Sequence, residues 1–150
     1  MGATLSVLLG AGAGFLLAVL WFDLMFDVQA LRLDDADGDE RLASIADYYR
    51  RVTIEAYPAN RLVACVMLST IAGSLVQVMR APAGRGRALL ALLVVAIPVG
   101  LAARRIVPNA MRLGRRADPL PVQRALARGI WRDHVACFVA ILVFLYLQLG

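Results

Sequence analysis

The chain has 150 residues, of which 61% are hydrophobic and only 18% charged, whereas ordinary soluble domains are about 45–50% apolar. A soluble globule of this size leaves too much of its area in water to hide such a composition, so lipid is the expected solvent for most of its surface. All sixteen basic residues are arginine and the net charge is +5. They flank apolar runs and form no soluble basic face, so the expected partners are the bilayer and its anionic phospholipid headgroups, not nucleic acid.

Crossing about 30 Å of hydrocarbon takes about 20 apolar residues in a helix. The first two of four runs meet this requirement and the last two are shorter in strictly apolar length, with flanking arginines expected to snorkel to the interface; the expected spans are about 4–27, 61–80, 88–106 and 130–149, joined on one side by loops 28–60 and 107–129. The first run has neither a basic leader nor a small-residue cleavage site followed by a polar stretch, so it reads as a retained helix. On it Gly10, Gly14 and Ala18 form a small-residue stripe suited to a close helix neighbour, and Asp23 and Asp27 form a separate stripe.

Loop 28–60 opens on an acidic turn, Leu33–Glu40, whose register does not fit a calcium loop. It continues as Arg41–Tyr57, with Leu42, Ile45, Tyr49 and Val52 at helical spacing before Pro58. An amphipathic helix lying on the membrane or on the bundle is expected there. In span two, Thr70, Gly73, Ser74 and Gln77 share one arc and mark its inward face. Pro98 and Gly100 are expected to kink span three, and Pro121 can open span four. The fold class expected is therefore all-α, an integral membrane four-helix bundle with an amphipathic helix in the first loop.

Arginines resist translocation. Loops one and three with their edges hold thirteen of them and loop two holds three, which places both long loops in the cytoplasm and both termini outside. Arg124, Arg128 and Arg132 recur every fourth residue as a headgroup-facing stripe.

The ends of the spans bring ten polar residues to one face: Asp23, Asp27, Asn60, Cys65, Arg104, Arg105, Arg132, Asp133, His134 and Cys137. Charges just inside hydrocarbon face partners or water, so these residues define a polar mouth. Pairing of the aspartates with Arg104, Arg105 or Arg132 would make it a structural ion-pair network. Convergence of Asp23, Asp27, His134 and a cysteine would make it a site for a ligand or proton. One histidine and two cysteines without a CxxC are too few to assign a metal, and no cofactor or nucleophile–base pair is indicated.

The stretch Arg51-Val-Thr-Ile-Glu-Ala-Tyr-Pro58 entering span two, with four spans and outward termini, resembles the membrane-associated eicosanoid and glutathione metabolism family. That resemblance implies arginine, asparagine and glutamate holding glutathione at a subunit boundary. The chain lacks the family's Arg-x-x-x-Asn spacing before the glutamate, and no glutathione site is assigned. The expectation is a non-catalytic binding, accessory or scaffold subunit, with a homo-oligomer or another membrane protein as partner. A membrane enzyme acting on a lipophilic substrate at the polar cluster and a proton- or ion-coupled transporter are the alternatives.

Overall fold

The computed structural model describes residues 2–80 and 84–149, and every regular element among them is helical. Helix α1 (Gly2–Asp27) passes through a 3-10 turn (Val28–Arg32) into the acidic turn. Helix α2 (Gly38–Tyr49) runs on as a π-helical segment (Arg50–Glu55), and α3 (Ala59–Arg80) returns across the molecule. Helix α4 (Arg85–Leu101), a second π segment (Ala102–Ile106) and α5 (Val107–Arg115) form one rod, followed by α6 (Leu120–Leu149). Four stretches are long and apolar enough to cross a membrane: Thr4–Arg32, Asn60–Arg80, Arg85–Arg115 and Leu120–Leu149, of 29, 21, 31 and 30 residues. Their outward surface carries exposed Val7, Trp21, Leu68, Leu93 and Val139, which supports a multi-pass membrane protein.

The buried face of α6 follows an unbroken alternation of four- and three-residue steps: Gln123, Ala127, Ile130, His134, Cys137, Ile141, Phe144 and Gln148 are all buried. The same rhythm on α1 joins buried Leu9, Ala13 and Leu16 to half-buried Leu20 and Asp23 and fully buried Asp27. This spacing keeps one seam of a helix turned toward its neighbour, and it carries the ionisable residues inward with the apolar ones. Around the middle of the molecule Leu9, Ala13, Leu16, Ala91, Val95, Ile141 and Phe144 form an apolar layer. A second core near one end packs α2 residues Leu42, Ile45, Ala46 and Tyr49 against Ile106, Ala110, Leu113, Ala127 and Ile130. Helix α2 thus lies on the protein itself. Gly114 permits that seat, because a Cβ there would stand 2.8 Å from the Arg50 amide nitrogen.

The structure departs from the sequence reading in two places. Segment 107–129, expected as a loop, is helical through Arg115 and again from Leu120, leaving residues 116–119 as the turn. Pro108 follows directly on the π segment Ala102–Ile106, where the i→i−4 ladder is already interrupted, so it does not break the rod. Arg116 ends α5 in the left-handed conformation, φ 52°, and its guanidinium donates to the Ala43 carbonyl at 2.6 Å and pairs with Asp47 at 2.9 Å. Next, the Gly10, Gly14 and Ala18 stripe does not receive a close neighbour: Gly14 and Ala18 are exposed. The tight approach falls instead at Gly12, beside Thr70 and Val66, and at Gly73, beside Leu9 and Leu5. Pro98, expected to kink span three, is buried within α4, ahead of the π segment.

Candidate binding site

The last turns of α1 carry Asp23 and Asp27 toward α2 and α6. Asp27 is fully buried. Its Oδ1 accepts a hydrogen bond from the Tyr49 hydroxyl at 2.5 Å, and its Oδ2 lies 2.6 Å from His134 Nδ1. A carboxylate only accepts, so this geometry puts an imidazole proton on Nδ1 and leaves Nε2 toward Asp23. Asp23 Oδ2 stands 3.8 Å from Nε2, and its Oδ1 accepts from the Tyr48 hydroxyl at 2.6 Å. Phe26 stacks on the Tyr48 ring, 4.1 Å between centroids. Burial, reinforced by the neighbouring aspartates, pushes both tyrosine hydroxyls well above their ordinary pKa, so they remain donors. A buried charge is tolerated when it is paired and hydrogen-bonded, and Asp27 has both.

Beside this cluster a cavity of about 620 Å³ separates α3 from α6. Helix α3 packs on α1 and α4 but makes no close backbone approach to α5 or α6 among the described residues. Leu16 and Val19 of α1, Val63 and Met67 of α3, Pro98 of α4 and Ile141 of α6 supply apolar wall. Asp23, Tyr49, Thr53, Asn60, Arg61, His134 and Cys137 supply polar atoms. Among the lining residues Ile54, Tyr57, Arg61, Ala64 and Val107 are exposed, so the cavity has a side mouth. Arg61 sits at that mouth with its guanidinium carbon 4.5 Å above the Tyr57 ring. Asn60, one of the lining residues, has a buried Oδ1 without a hydrogen-bond partner.

The ten polar residues expected at the mouth divide into three groups. Asp23, Asn60, His134 and Cys137 line the cavity, and Asp27 supports it from behind through His134 and Tyr49. Arg105 and Asp133 pair with each other at 3.0 Å, apart from the aspartates of α1. Cys65, Arg104 and Arg132 are exposed and do not join the cluster. The expected pairing of Asp23 and Asp27 with arginine is replaced by histidine and tyrosine, whose shorter side chains reach a buried seam without bringing in a guanidinium that must be solvated. Arg124 and Arg128, expected to face headgroups, pair with Asp39 and Asp34 of the acidic turn, each at 2.7 Å. Sequence reasoning assigned Tyr49 to the apolar face of α2 and gave Tyr48 no role. The four–three rhythm of α1 and α6 is the signal that turns Asp23, Asp27 and His134 inward together.

The opposite end is polar but uncharged at its centre. Gln77 Nε2 donates to Gln148 Oε1 at 3.1 Å and lies 3.4 Å from Ser6 Oγ, while Gln77 Oε1 and Gln148 Nε2 are buried and unpaired. Arg87 donates to the Leu147 carbonyl at 2.6 Å and closes the end of α6. Thr70 and Ser74 face inward as expected, but their hydroxyls return to carbonyls of their own helix. The apolar layer of Leu9, Ala13, Ile141 and Phe144 lies between the two polar ends.

No family model, curated protein or solved structure matches this chain. Of the stretch that carries the glutathione-family resemblance, Val52, Thr53, Ile54 and Tyr57 line the cavity, whereas Arg51 is exposed and Glu55 pairs with Arg50 at 2.8 Å. Among the described residues no three His, Cys, Asp or Glu side chains are arranged to hold a metal ion.

Proposed function

We propose that this protein is a four-helix membrane bundle that binds a lipophilic small molecule in the cavity between α3 and α6, acting as a binding or accessory subunit. The observation that carries this reading is an apolar space of about 620 Å³ with its polar atoms gathered around Asp23, Asn60 and His134. Ligand sites have this construction, a largely apolar wall with a few fixed polar groups that set orientation. The side mouth, bounded by exposed Ala64 and Val107, suits entry of a ligand from the hydrocarbon. The arginine distribution supports a cytoplasmic location for the α2–α5 end. Exposed Arg104 and Arg132 suit contact with anionic headgroups there.

A second reading, a membrane enzyme on a lipophilic substrate, is favoured by one feature. Asp27 fixes His134 with Nε2 available beside the cavity, the arrangement a general base needs. A transmembrane proton relay has less support, because the layer of Leu9, Ile141 and Phe144 separates the polar ends.

Native mass spectrometry of the gently solubilised protein tests the binding reading. An apolar adduct retained by the wild type and absent from Ala102→Phe, which narrows the cavity, is the expected result. Equal adduct patterns in both proteins would refute it. Substrate turnover that disappears in His134→Gln would replace it with the enzyme reading.

A further inference from the structure

Resting on the binding reading, the polar atoms of the cavity also specify which end group the lipophile carries. Asp27 is saturated by Tyr49 and His134 and has nothing left to offer. Asp23 is different: Tyr48 occupies Oδ1, whereas Oδ2 has only the His134 ring at 3.8 Å. Asn60 lines the cavity as well, and rotation of its amide would bring its buried, unpartnered Oδ1 to a ligand. Thr53 donates its proton to the Tyr49 carbonyl at 2.6 Å, which leaves its oxygen as a third.

Apart from the Asn60 amide nitrogen, the donors are already spent or peripheral. Tyr49 gives its proton to Asp27, and Cys137 faces the Pro98 carbonyl at 4.0 Å. Arg61 lies at the exposed mouth over Tyr57. The inner charge is two carboxylates against one imidazole. A cavity rich in free acceptors and negative in charge is complementary to a cation that donates hydrogen bonds, and it disfavours a carboxylate or phosphate.

We propose that the ligand is a lipophilic amine, its ammonium group donating to Asp23 and Asn60 and its hydrocarbon lying along Val63, Met67 and Ile141. An uncharged alcohol of the same chain would reach the same acceptors without the charge pairing. A fatty carboxylate would meet Asp23 as a like charge.

The test uses the full-length protein in neutral phosphatidylcholine vesicles, which do not concentrate cations. Three dodecyl probes carry a mid-chain diazirine and end in a primary amine, an alcohol or a carboxylate. After illumination, labelling of the α3 and α6 cavity wall is read by mass spectrometry under competition with unlabelled analogues. The amine is expected to occupy the cavity at least about tenfold more tightly than the alcohol, a difference of about 1.4 kcal/mol. Asp23→Asn should remove that preference while alcohol labelling persists, and Asn60→Leu should reduce it by a smaller factor. Because Asp27, Tyr49 and His134 are untouched in both variants, persistent alcohol labelling also reports an intact fold. Equal labelling by amine and alcohol, or preference for the carboxylate, would overturn the amine assignment and leave the binding reading standing. Labelling no greater than in Ala102→Phe for all three probes would overturn both.

Discussion

The two ends of the molecule bury polar groups in different ways. At the α1–α2–α6 end, Asp27 is wholly enclosed and both its oxygens are engaged within 2.6 Å by Tyr49 and His134. At the other end, Gln77 and Gln148 share one hydrogen bond and leave an amide oxygen and an amide nitrogen without partners. The contrast follows the cost of desolvation: an unpaired amide group costs a few kcal/mol, whereas an unpaired charge costs far more or is neutralised. Charge therefore forces a complete network, and neutral amides tolerate an incomplete one.

Asp27→Ala should break the comparison most severely. It strips Tyr49 and His134 of their shared acceptor, and a loss of about 3–5 kcal/mol is expected in denaturant unfolding of the detergent-solubilised protein. Tyr49→Phe removes one hydrogen bond to a buried charge with little change in volume, and should cost about 1.5–3 kcal/mol in the same measurement. This variant also sharpens a pH dependence. Burial and the aspartates raise the Tyr49 hydroxyl well above its ordinary value of 10.0. The unfolded chain thus ionises first, and stability should be full below that value and fall as pH rises through and beyond it. Unfolding followed from neutral to alkaline pH should show a shallower decline for Tyr49→Phe than for the wild type.

Gln148→Leu should shift stability by no more than about 1.5 kcal/mol in either direction, since it removes one hydrogen bond together with one unsatisfied nitrogen. A loss as large as that of Asp27→Ala would abolish the distinction between the ends. The smallest effect belongs to the acidic turn. Asp34→Asn removes an exposed pair with Arg128 and should cost less than about 1 kcal/mol, vanishing as salt is added.

The helical class and the apolar stretches were legible in the sequence because uncharged runs of about 20 residues have few other uses. Helix ends were less so. Pro108 looks like a breaker until the π segment just before it is known, which is why 107–129 reads as a loop and is mostly helix. At the site, chain order placed Asp23, Asp27 and His134 near one rim but could not say which partners reach them. Tyr48 and Tyr49 come from α2, whose seat depends on the Gly114 approach and on contacts distant in sequence. The small stripe Gly10, Gly14, Ala18 misled because composition records which residues allow contact, whereas the four–three rhythm of Leu9, Ala13 and Leu16 records which face makes it.

The unequal lengths of the four long helices carry a geometric consequence. At about 1.5 Å per residue, stretches of 29, 31 and 30 residues measure about 44–47 Å and overshoot a hydrocarbon slab of about 30 Å, while the 21-residue stretch only matches it. The three taller posts form a parapet on which α2 can rest, and the short one leaves a sill.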